Sequence, residues 1–82
     1  MDKLKLYRES IDHIDEVIVN YLNYRFQYCQ EIGKIKKESN TQVLDSNREK
    51  EIIDKLKQYE KYPGMVETIW PVIMEFSKQL QK

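Results

Sequence analysis

Residues 3–39 read, in one-letter code, KLKLYRESIDHIDEVIVNYLNYRFQYCQEIGKIKKES, and this stretch decides the fold. It holds no proline, and its only glycine is Gly33. Leu4, Ile11, Ile14, Ile18 and Leu22 recur at helical steps, followed by Tyr21, Tyr24, Tyr28, Ile32 and Ile35. The gaps are the period of one continuous amphipathic α-helix. At about 1.5 Å per residue that helix is roughly 55 Å long. A compact globule of 82 residues has no use for such length, and periodic runs beyond about 25 residues point to pairing between chains.

Eighty-two residues set a limit of one domain, expected to span 1–82. So small a core commonly needs a disulfide, a metal or a partner. Cys29 is the only cysteine and His13 the only histidine, so neither a disulfide nor a zinc site is expected. Self-association remains, and the long first helix offers the surface for it. Lys plus Arg is 14 and Asp plus Glu is 14. A nucleic-acid binder usually carries a basic excess that is missing here. No apolar run is long enough for a membrane span or a signal peptide, so a cytoplasmic protein is expected.

Beyond the first helix, Ser39-Asn40-Thr41-Gln42 is a polar breaker. Asp45 and Ser46 are both good N-cap residues, and Ser46 with Glu49 fits a capping box. A second helix is expected over Ser46–Gln58, with Ile52, Ile53 and Leu56 facing inward. Pro63-Gly64 marks a turn, with Pro63 suited to the first turn of a third helix that carries Met65, Val66, Ile69, Trp70, Ile73, Met74, Phe76 and Leu80. Pro71 falls inside it and should bend its axis. The expected class is all-α: one long helix and two short ones.

Arg25 and Lys36 stand eleven residues apart, three turns plus roughly 20° of rotation, so they share a face about 16 Å apart. A dianion about 10 Å across spans them, over a less polar floor of Cys29 and Ile32. Arg8 lies ~25 Å before Arg25 and about 100° round the helix, out of reach of the same ligand. In an antiparallel dimer it approaches Arg25 of the partner subunit, giving two equivalent shared sites. The second helix adds Asp45, Arg48 and Glu49 at its start. Ser77 and Gln81 are i, i+4 neighbours on one face of the third helix, with Gln79 turned away. Each of these also has a plain structural reading: Arg8 and Arg25 as solvated charges, Lys36 as a cation at a helix C-terminus, Asp45 and Glu49 as capping groups, Cys29 as core, Ser77 and Gln81 as surface.

Taken in order, Leu6-Tyr7-Arg8-Glu9-Ser10-Ile11-Asp12, Leu22-Asn23-Tyr24-Arg25-Phe26, Ile32-Gly33-Lys34-Ile35-Lys36, Asp45-Ser46-Asn47-Arg48-Glu49 and Ser77-Lys78-Gln79-Leu80-Gln81 resemble the all-helical class of chorismate mutases. No single piece is specific; the order and spacing together are. The resemblance implies an intertwined homodimer and a monofunctional, cofactor-free isomerase of aromatic amino acid biosynthesis. Such enzymes rearrange chorismate to prephenate through a chair-like pericyclic transition state, breaking an ether C–O bond as a C–C bond forms. It also implies roles. Arg25, Arg48 and Arg8 from the partner chain would bind the substrate carboxylates. Lys36 would reach a carboxylate and the ether oxygen, and Gln81 would donate a second hydrogen bond to that oxygen. Glu49 with Asp45 would take the ring hydroxyl, and Ser77 would assist a carboxylate. Ile32 and Met74 would be apolar walls. Pro71 departs from the pattern.

Three rivals remain. An isochorismate-pyruvate lyase of the same fold breaks the same ether bond, and the Arg48-Glu49 pair argues for the mutase. A mutase acting on amino-chorismate is the second. A non-catalytic helical dimer or regulatory module is the third, and the intact set Arg8, Arg25, Lys36, Arg48 and Gln81 argues against it.

Overall fold

The computed structural model describes residues 2–82. Three helices follow in order, α1 (Lys3–Glu38), α2 (Ser46–Lys57) and α3 (Met65–Gln81). No strand occurs among the described residues. The single long helix read from the periodicity is present at a length of 36 residues.

Local chemistry fixes the ends. Asp2 caps α1, accepting from the Lys5 amide at 3.3 Å. At the other end Asn40 adopts φ 54°, and the Thr41 amide donates back to the Lys36 carbonyl at 2.7 Å. Asparagine tolerates this left-handed conformation better than most residues. Asp45, not Ser46, caps α2: its Oδ1 accepts from the Arg48 amide at 3.0 Å. Ser46 is therefore the first helical residue, and Glu49 falls one position too late for a capping box. Its carboxylate is left for another use.

Pro63 does not enter the third helix. Gly64 stands before α3 at φ 90°, a conformation that costs other residues about 1–2 kcal/mol. With no side chain there to cap, the Glu60 carboxylate accepts from the Val66 amide at 3.1 Å instead. Pro71 lies within α3, which nevertheless runs unbroken from Met65 to Gln81.

The C-terminal half of α1 packs along α3. The Phe26 and Phe76 rings meet with centroids 4.8 Å apart, Arg25 reaches Ser77, and Gly33 lies against Gln81. Residue numbers climb together, so the two helices run the same way. The α2 helix opposes α3, with Glu49 beside Lys78 and Lys57 beside Glu67. Ile52, Ile53 and Leu56 are half-buried.

The core is thin. Cys29, Val66 and Met74 are the buried apolar residues among those described. Residues 2–20 are exposed throughout, including Leu6, Ile11, Ile14 and Ile18. The molecule measures 59 × 24 × 15 Å with a radius of gyration of 16.2 Å, where a compact domain of this length would have about 12 Å. It exposes 7108 Å², against roughly 5,200 Å² for a typical 10.0 kDa monomer. No helix is long and apolar enough to cross a membrane.

Candidate active site

The cleft lies between the C-terminal half of α1, the start of α2 and the end of α3. It encloses about 240 Å³. Arg25, Ile32, Asp45, Arg48, Glu49, Met74, Ser77 and Gln81, all singled out from the sequence, line it.

Two cross-helix contacts set its polar ends. Arg25 Nη1 donates to Ser77 Oγ and lies 3.7 Å from Cys29 Sγ. Ser77 Oγ in turn donates to the Ile73 carbonyl at 2.8 Å, so its lone pairs are left for the guanidinium. One helical turn along α3, Lys36 Nζ donates to Gln81 Oε1 at 2.8 Å and to the Val43 carbonyl at 2.8 Å. Lys36 is not itself among the residues that line the cleft. These two contacts occupy two of its three ammonium hydrogens, and the third has no partner among the described residues. Because Lys36 occupies the amide oxygen, the Gln81 –NH₂ is the end free to donate.

Ser77 and Gln81 are both buried, at 4% and 9% exposure, so the shared face expected for them is turned inward. Gln79 is exposed and its amide donates to Glu75. Across the cleft, Arg48 is exposed and pairs with Glu51 at 3.5 Å. Two such mobile, solvated side chains are held together only weakly, which leaves the guanidinium available to a ligand. Glu49 is half-buried and paired through Oε2 with Lys78 Nζ at 3.2 Å.

Arg8 is not in this cleft. It sits on the exposed half of α1, as its 100° offset required. Among the described residues no three of His, Cys, Asp or Glu are gathered in the manner of a metal site.

Four lining residues carried no site role in the sequence reading: Tyr28, Val43, Ile52 and Lys78. Tyr28 adjoins Cys29, and Ile52 was legible as inward-facing. Lys78 follows Ser77 and precedes Gln81 by three, a spacing that puts it on the adjoining face of α3. Gly33 is a fifth omission. A Cβ built there would lie 2.7 Å from both the Gln81 Cα and its carbonyl oxygen. Glycine is thus what lets the end of α3, and with it Gln81, close on α1.

The chain has the sequence pattern of a known family over nearly its whole length. The sequence model of chorismate mutase type II matches residues 7–82. A bifunctional chorismate mutase/prephenate dehydratase of Aquifex aeolicus is 39% identical over 61 residues, covering 74% of this chain. The match spans 17% of that protein's length. A chorismate mutase of Methanocaldococcus jannaschii is 29% identical over 86 residues, covering 100% of this chain and 87% of that protein. A solved structure, a conserved hypothetical protein from Pyrococcus furiosus, superposes with a TM-score of 0.85 at 36% identity, covering 100% of this chain and 99% of the other. Every residue that lines the cleft falls inside the span matched by the family model, and the chain belongs to the chorismate mutase type II family.

Proposed function

We propose that this chain, acting as a single domain, is a chorismate mutase that rearranges chorismate to prephenate in the cleft between α1, α2 and α3. The observation that carries the reading is the pairing of Lys36 with Gln81 one turn from the pairing of Arg25 with Ser77. Together these give a cation and a neutral amide donor at one end of a cavity, with a guanidinium at the other.

The reaction is an isomerisation in which one ether C–O bond breaks as one C–C bond forms. No proton, electron or leaving group is exchanged with the protein. The work is to hold a flexible dicarboxylate in its reactive conformer and to stabilise charge gathering on the ether oxygen. Arg25 and Arg48 bind carboxylates, which suit the two-point fork of arginine, and Ser77 assists. The Lys36 ammonium and the Gln81 –NH₂ donate to the ether oxygen. Glu49, with Asp45 beside it, accepts from the ring hydroxyl. Ile32 and Met74 wall the ring. An acceleration of about 10⁶ needs roughly 8 kcal/mol, and preorganised donors at about 3 kcal/mol each supply it.

The active form is a homodimer intertwined along α1. Support comes from the surplus of roughly 1,900 Å² of exposed surface over a compact monomer, a per-chain area that matches a large obligate interface. The apolar stripe Leu6, Ile11, Ile14 and Ile18 is exposed over the same half of α1 that carries Arg8. In an antiparallel pairing, Arg8 of each protomer completes the cleft of the other.

The test is a direct assay of the purified protein with chorismate and, in parallel, isochorismate, with products identified by NMR. Prephenate from chorismate, lost in Arg25→Ala, is the expected result. Salicylate and pyruvate from isochorismate alone would move the assignment to the lyase. No turnover of either by a folded protein would leave a non-catalytic helical module.

A further inference from the structure

Lys78 has no part in the chemistry described so far, yet it lines the cleft. It reaches from α3 to α2, where its Nζ lies 3.2 Å from Glu49 Oε2, and it also meets Glu75 on its own helix at 3.1 Å. Its side chain is 24% exposed and that of Glu49 30% exposed, so this pair is the best shielded ion pair among the described residues. We propose that Lys78 is a specificity-determining residue: by pairing with Glu49 it makes the cleft select a ring hydroxyl over a ring ammonium on an otherwise identical dicarboxylate.

The argument rests on the reading above in which Glu49 receives the ring substituent. A lone carboxylate facing that substituent would prefer an ammonium to a hydroxyl, because the ammonium adds the attraction of a full opposite charge to the hydrogen bond, whereas the hydroxyl brings only a dipole. With Lys78 in place, the carboxylate is already neutralised by a fixed cation. A hydroxyl loses little by this, since it needs only a lone pair, and Lys78 engages Oε2 while the carboxylate has a second oxygen. An ammonium loses twice. Its attraction to Glu49 is shared with Lys78, and it comes within roughly 5–6 Å of a second ammonium, where like charges repel.

Of the other charges on the cleft wall, the Asp45 carboxylate would favour an ammonium, but its Oδ1 is engaged by the Arg48 amide and it is outnumbered by the guanidiniums of Arg25 and Arg48. Glu75 and Lys50 line a neighbouring hollow with Lys78, and the Glu75 side chain is 62% exposed, hence well screened. The carboxylates of Glu75 and then Glu49 hold the Lys78 ammonium above the ordinary lysine range, so it stays charged at neutral pH.

The test compares kcat/KM for chorismate and for its analogue with an amine in place of the ring hydroxyl. The amine is protonated near neutral pH, as a lysine side chain is. Full-length wild type, Lys78→Met, Lys78→Arg and Glu49→Gln are measured at low salt. Wild type should favour the hydroxyl substrate. Lys78→Met should shift the ratio toward the amine at least 10-fold, through KM more than kcat, and Lys78→Arg should keep the wild-type ratio. Added salt should shrink the difference. An unchanged ratio in Lys78→Met, with Glu49→Gln impaired on chorismate, overturns the role of Lys78 and leaves Glu49 in place. Chorismate turnover indifferent to Glu49→Gln overturns the Glu49 assignment and this proposal with it.

Discussion

Gly33→Ala adds one methyl group at the closest approach of α1 and α3, and the structure sets the size of the disturbance. The new Cβ would sit 2.7 Å from the Gln81 Cα and carbonyl oxygen, whereas ordinary contact begins near 3.4 Å. These are backbone atoms, so no side-chain rotation relieves the clash. The last turn of α3 must retreat by roughly 0.7 Å. If the Gln81 side chain travels with it, the Lys36 Nζ to Gln81 Oε1 separation grows from 2.8 Å to about 3.5 Å, beyond the usual hydrogen-bond range of about 3.2 Å. Misplacement of a catalytic group by about 1 Å can cost 10²-fold, so kcat should fall ~10- to 100-fold. KM should move less, because Arg25 and Arg48 stay where they are. Stability should change little: crowding costs about 1–3 kcal/mol, and replacing glycine within a helix returns about 1 kcal/mol. Gly64→Ala is the complementary variant. Nothing lies within 4 Å of a Cβ at Gly64, but its φ is 90°, so it should cost about 1–2 kcal/mol of stability and leave kcat alone. Steady-state kinetics and thermal melts of both variants, at one protein concentration, check this. A Gly33→Ala enzyme with kcat within about twofold of wild type would refute the reasoning, because the end of α3 would then not depend on a bare backbone at residue 33.

Three further outcomes are expected. Gln81→Glu replaces a donor that works at any pH with one that donates only when protonated, near pH 4.3 for an unperturbed glutamate. Its activity should fall as pH rises through the folded pKa while wild type shows no such limb, and parallel pH–rate profiles would contradict the donor role. Arg8→Ala and Arg25→Ala should each be nearly inactive, yet subunits mixed and allowed to exchange should recover up to roughly a quarter of wild-type activity, since half the dimers then carry one intact shared site. No recovery, with exchange verified by mass spectrometry, would mean that Arg8 does not act across the interface. Glu60→Ala removes the acceptor for the Val66 amide and should destabilise the fold by about 1 kcal/mol without altering KM; a melt matching wild type would show that the start of α3 needs no such cap.

What could be read from the sequence depended on whether the signal was local. The length of α1 was legible because its apolar residues keep step over ten turns. The co-location of Arg25 with Lys36 and of Ser77 with Gln81 was legible for the same reason. The joining of those two pairs was not, because Arg25 and Ser77 are 52 residues apart and no period links them; only the resemblance to a family supplied it. Asp45 and Ser46 are both good caps standing side by side, and the choice between them, which rules out the Ser46–Glu49 capping box, depends on which carboxyl or hydroxyl reaches the third amide. Pro63 was misjudged because the left-handed Gly64 resets the chain direction before the helix begins. Lys78 escaped notice because a lysine on an outer face of a helix is ordinarily solvated, and its role appears only when α2 brings Glu49 opposite.

Gly33 and the N-terminal half of α1 carry the same lesson in opposite senses. At Gly33 the missing side chain is informative only once its neighbour is known, and the neighbour lies on another helix. Along residues 2–20 the side chains are informative at once, since a stripe of Leu6, Ile11, Ile14 and Ile18 left exposed is costly at about 25 cal/mol per Å² of apolar surface. In the proposed dimer, the burial that removes this cost and the arrival of Arg8 at a cleft would be one event, not two. A substitution in the stripe that separates the subunits, Ile14→Glu for instance, should abolish turnover with every residue of the cleft intact.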